Sequence, residues 1–146
     1  MRPSHSNHAL LSLAVALLLG CQRPPTASSA RSLRFGSGGG FAGLQTTYEL
    51  YPDGRLTRRT STPAAADAPA TPLPPPPAAQ VRACFRQLDA LPTDSLQLDQ
   101  PGNLTYFLDG QTRRGCPVHL AWGAPGAPAP HAARALYRNL QALLPR

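Results

Sequence analysis

The sequence predicts an α+β fold: an antiparallel sheet of four to five strands with two helices packed on one face. Three observations lead there. Residues 44–51 and 114–122 alternate from side to side, the period of a half-buried strand. Residues 78–91 and 131–144 repeat apolar side chains at three and four, the period of a helix resting on a core. The strand-like stretches form two hairpin regions, each followed by one helix, an order that places helices on one face of an antiparallel sheet.

Taken in order, the chain starts with Arg2, then an apolar run over residues 9–20. That order is a secretory signal peptide, and the run falls short of the roughly 20 apolar residues that span a bilayer. Leu18-Leu19-Gly20-Cys21 resembles the bacterial lipobox. The resemblance implies cleavage after residue 20, acylation of the Cys21 thiol, and anchoring in a membrane through that lipid. Residues 1–20 are then the signal and residues 21–31 a lipidated tether, polar and proline-containing. The expected location is outside the cytoplasm. The absence of Asp directly after Cys21 resembles sorting to the outer membrane or cell surface.

Residues 32–146 form the expected domain, enough for one modest core. Residues 32–35 read as a short strand and residues 36–43 as a glycine-rich bend. Residues 44–51 are a strand of β-formers, and Pro52-Asp53-Gly54 turns it into a partner strand over residues 55–61. Residues 62–77 are rich in Pro and Ala, offer little to bury, and read as a disordered insertion unable to join a sheet. Val81, Cys84, Phe85, Leu88 and Leu91 line the first helix, which Pro92 stops. Residues 93–102 read as a loop, residues 103–108 as a strand, and Asp109-Gly110 as a turn. Residues 114–122 return with Cys116, Val118, Leu120 and Trp122 inward; Pro117, on the other phase, suggests an edge strand or a bulge. After a loop over residues 123–130, the second helix turns Ala133, Leu136, Leu140 and Leu143 inward.

The chain carries 14 basic residues, all Arg, against seven acids, for a net charge of +7. Such a balance suits anionic partners, but the arginines are not interleaved with aromatics, and an exported protein rarely meets nucleic acid. A solvated basic surface, or contact with acidic lipid or an acidic partner, is expected instead, and no nucleic-acid binding. Beyond Cys21 only Cys84 and Cys116 remain. In an oxidising compartment they are a candidate disulfide; on apolar faces they equally pack as small hydrophobes. No Cys/His spacing suits a metal, and no nucleophile, base or phosphate-loop pattern appears. Of the histidines beyond the signal, His119 lies on the face opposite the core and His131 begins a helix. The reading is a non-enzymatic protein with no cofactor and no metal.

Two stretches stand out. In Gly39-Gly40-Phe41-Ala42-Gly43-Leu44 a phenylalanine sits among glycines, which permit positive φ and close approach. Phe41 either folds back on the core or is presented to a partner. Trp122-Gly123-Ala124-Pro125-Gly126 puts a tryptophan, a residue enriched in binding hot spots, beside a Pro-Gly loop. Trp122 is either a core residue at a strand end or part of a binding surface.

The first of these stretches resembles emfourin, a small protein inhibitor of thermolysin-like (M4) metallopeptidases. Arg34-Phe35, Ser37 and residues 39–44 occupy the places of that family's opening strand and Ser-Gly-Gly-Phe-Ala-Gly element, with one extra glycine. The later order is also similar: a proline-led helix with Leu88 and Leu91, a strand with Tyr106, a hairpin, and a terminal helix preceded by proline. The insertion after Ser61 and the Trp122 loop depart from the pattern. The resemblance implies an anchored inhibitor that fills a secreted metallopeptidase's cleft non-covalently. Phe41 and Leu44, held by Gly39 and Gly40, would make the contact, with Trp122 contributing. The alternative is a non-enzymatic accessory or interaction domain of the cell envelope with no protease target.

Overall fold

The computed structural model describes residues 31–126 and 128–145. The signal-peptide reading, Cys21 and nearly all of the tether lie outside the described residues. The fold is α+β; among the described residues it has two helices and a seven-stranded mixed sheet. The strands are β1 (Leu33–Gly39), β2 (Leu44–Leu50), β3 (Leu56–Ser61), β4 (Thr71–Leu73), β5 (Gln97–Gln100), β6 (Leu104–Gln111) and β7 (Pro117–Trp122). The helices are α1 (Ala78–Asp89) and α2 (His131–Gln141). Strand order is β4-β3-β2-β1-β6-β7-β5, antiparallel throughout except for β5 alongside β7.

Register explains the core. Leu33 lies opposite Leu50, and Leu50 opposite Leu56; Phe35 lies opposite Tyr48 and Leu108, and Leu108 opposite Leu120. Directly opposed residues share a face, so one face of the sheet carries an unbroken apolar band. Val81, Cys84, Phe85 and Leu88 of α1 and Ala133, Leu136, Tyr137 and Leu140 of α2 close over it in one cluster. Both helices start just after a proline, Pro77 and Pro130, whose fixed φ leads into the first turn. Among the described residues no helix covers the opposite face. It shows polar residues such as Arg34, Asp109 and His119, with His119 Nδ1 2.7 Å from Asp109 Oδ1.

Several expectations are corrected. The sheet has seven strands rather than four or five, because two short strands carry too little pattern to be recognised. The first is β4, inside the Pro/Ala segment expected to be disordered and barred from the sheet. Residues 62–77 contain a 3₁₀ turn, Pro63–Ala65, and then β4, which pairs with β3 through Leu73–Leu56, Pro72–Thr57 and Thr71–Arg58. Pro72 is tolerated because β4 is outermost, so its missing N–H removes nothing from an inner ladder. The second is β5, in the stretch read as a loop. Its only core contribution is Leu98, opposite Leu120.

Asp109-Gly110 does not turn; both residues continue β6, opposite His119 and Val118. Chain reversal comes later, where the Thr112 hydroxyl accepts the Cys116 N–H and Gly115 takes φ +84°. A β-carbon on Gly110 would meet the Ser32 carbonyl oxygen at 3.3 Å, with Leu88 at an ordinary contact distance of 3.6 Å. Pro117 marks neither an edge nor a bulge. It is the first residue of β7, an interior strand, where a missing N–H is harmless. Cys84 and Cys116 are both free thiols, Cys84 buried on α1 and Cys116 packed at the core margin. Burial pushes the Cys84 thiol above its ordinary value.

Candidate functional site

The hairpin joining β1 to β2 ends in a four-residue turn, Gly40-Phe41-Ala42-Gly43, closed by the Gly43 N–H donating to the Gly40 carbonyl at 3.1 Å. Gly40 and Gly43 have φ of +73° and +59°, a region where a β-carbon is strained. The turn is held from both sides. The Gly40 N–H donates to the Asn103 carbonyl at 2.7 Å, and a β-carbon on Gly43 would already touch Pro63 at 3.1 Å. Gly39 lies so close to Asn103 that a β-carbon would stand 2.2 Å from its carbonyl oxygen. The glycines thus fix this tip rather than merely loosen it.

Phe41 projects from the turn fully exposed, at 111% of its reference area. It does not fold back on the core. Among the described residues, the large hydrophobic side chains left exposed are Phe41, Leu44 and Leu104, the two leucines at 49% each. Register brings all three to one end of the sheet. Leu44 and Leu104 both lie opposite Gly39, one on each side. They therefore share a face and stand roughly 10 Å apart, two strand spacings, with a side-chain-free gap between them. This is the face the helices cover further along, so the patch is the uncovered end of the core band.

Of the residues singled out from sequence, the tip therefore brings together Phe41, Leu44, Gly39 and Gly40. Of the two readings of Trp122, the core one at a strand end holds: it is 9% exposed and belongs to an aromatic cluster rather than to the Phe41 tip. Its ring meets Tyr137 edge-on at 5.1 Å and stacks near Tyr106 at 6.1 Å. A strand-end position opposite Tyr106 put it under α2, where its large ring fills space beside Tyr137. Leu104 was missed. Alternation along β6 places it on the core face with Tyr106 and Leu108, and only the end of helix coverage leaves it exposed; no sequence signal reports that.

Tyr137 ties α2 to the sheet. Its hydroxyl donates to the Gly36 carbonyl at 2.8 Å, and burial, with Tyr106 nearby, pushes its pKa up to about 12. Among the described residues no group of three or more His, Cys, Asp or Glu side chains is placed to hold a metal, and no helix is long and apolar enough to cross a membrane. What the tip can do chemically is limited to apolar insertion with backbone contact. No protein-family model matches this chain, and no curated protein matches it.

Proposed function

We propose that the domain is a protein-binding module that inserts its β1–β2 tip into the apolar cleft of a thermolysin-like metallopeptidase and blocks it without covalent chemistry. The observation that carries this reading is Phe41: a fully exposed aromatic on a turn braced from two sides. An aromatic left in water is unfavourable for the free protein and becomes favourable when a partner covers it, by about 1.5–3 kcal/mol for a Phe side chain. A braced tip loses little freedom on binding, so more of that gain appears as affinity. Leu44 and Leu104 widen the apolar contact, and the gap over Gly39 admits a partner's chain between them. The lipid anchor on Cys21 would hold the inhibitor at the membrane face where exported peptidases act.

The test is a titration of the protein against a thermolysin-like peptidase, reading residual activity on a peptide substrate. Stoichiometric loss of activity is expected. Undiminished activity at high excess of folded protein contradicts the inhibitor reading and leaves an envelope accessory domain whose tip meets another partner.

A further inference from the structure

A second surface lies further along the helix-covered face, beside α2. There a cleft of about 450 Å³ has a floor of three aromatic rings, Tyr106, Trp122 and Tyr137, and a rim of His131, Arg134, Arg138 and Gln141. The floor is closely packed: the three ring centroids lie 5.1–6.1 Å apart in pairs. The Tyr137 hydroxyl donates its proton to the Gly36 carbonyl, so this ring offers the cleft no free O–H donor. Arg134 and Arg138 stand one turn apart on α2, both exposed, and among the described residues neither is ion-paired with a carboxylate. No acidic side chain lines the cleft.

An apolar floor under a rim that carries two arginines and no acid selects an occupant with the complementary pair of features: a flat or apolar group carrying a negative charge. Arginine forks favour carboxylates, which they bind through two parallel N–H donors. A small-molecule site normally surrounds most of its ligand; here the rim residues are exposed and the cleft is open. An open cleft with an apolar floor suits the end of a chain whose remainder leaves along the surface. We infer that this cleft binds the free carboxyl end of a peptide whose last side chain is aromatic or apolar, with Arg134 and Arg138 taking the carboxylate and the three rings taking the side chain. This inference stands apart from the tip reading, because it uses none of residues 39–44.

Trp122 is the single tryptophan of the chain and forms part of the floor, so its fluorescence reports this cleft directly. The full-length protein is titrated with acetyl-Ala-Phe bearing a free carboxylate, with the same peptide as its C-terminal amide, and with 3-phenylpropionate, over the millimolar range. The free-acid peptide is expected to give a saturable change and to bind at least about tenfold more tightly than the amide, as loss of charged hydrogen bonds implies. The double variant Arg134→Gln/Arg138→Gln should erase that difference while keeping the wild-type melting temperature, since both side chains are exposed. Phe41→Ala should bind the free acid as wild type does. Equal binding of acid and amide, or no saturable change, overturns the inference. Binding of 3-phenylpropionate as tight as that of the peptide overturns the chain-end occupant in favour of a small carboxylate.

Discussion

At Gly39 a β-carbon would sit 2.2 Å from the Asn103 carbonyl oxygen, and φ is +115°. Gly39→Ala must therefore push β1 away from the chain entering β6 and strain its own backbone. Gly40 also has a positive φ, but open space surrounds it. Gly39→Ala is expected to lower stability by about 1–3 kcal/mol in a urea titration, and Gly40→Ala by less. Equal losses would show that contact with Asn103 does not constrain the tip. Tyr137 makes a second prediction, in pH. Its phenol ordinarily ionises near 10 but is held up to about 12 in the fold. Between those values the unfolded chain releases this proton while the folded protein keeps it, so stability falls as pH rises through that window. Tyr137→Phe should flatten that slope and, at neutral pH, cost about 1 kcal/mol for the lost bond to Gly36. An unchanged slope would place the titration elsewhere.

Among the elements, β4 shows how a proline-rich segment takes part in a sheet. Pro72 is exposed on the outermost strand, whereas Leu73, opposite Leu56, packs against the core. Pro72→Ala is expected to stay within about 0.5 kcal/mol of wild type and Leu73→Ala to lose about 1 kcal/mol. A neutral Leu73→Ala would mean that β4 is not anchored through this contact. The contrast explains what the sequence makes legible. Elements with a long, regular apolar period, namely β2, α1 and α2, are readable, because their inward residues repeat often enough to define a face. The short strands β4 and β5 are not, because each places a single partly buried leucine, Leu73 or Leu98, against the core and takes its pairing from a neighbouring strand. Asp109-Gly110 misleads because a dipeptide that suits a turn here continues a strand, and the reversal falls at Gly115. At the tip, the glycines single out Phe41 but leave open whether it is core or presented. Leu104 gives no signal, and Trp122 stays open between core and surface, because helix coverage decides which end of an apolar strand face is left in water.

For the molecule as a whole, the consequence is a division of one sheet face. Along most of its length α1 and α2 close the apolar band into a core; at the end where β1 turns into β2 the band continues uncovered as Leu44, Leu104 and the Phe41 tip. The covered part supplies the stability and the uncovered part the surface that a partner would bury. The two should therefore be separable. The measurement that tests this most directly compares wild type and Phe41→Ala in the same peptidase titration, with melting temperature recorded on both samples. The account predicts an unchanged melting temperature and binding weakened by at least about 2 kcal/mol, roughly thirtyfold. Inhibition by Phe41→Ala equal to that of wild type would contradict it, as would a melting temperature that falls along with the inhibition, since Phe41 would then belong to the fold and not to a partner's cleft.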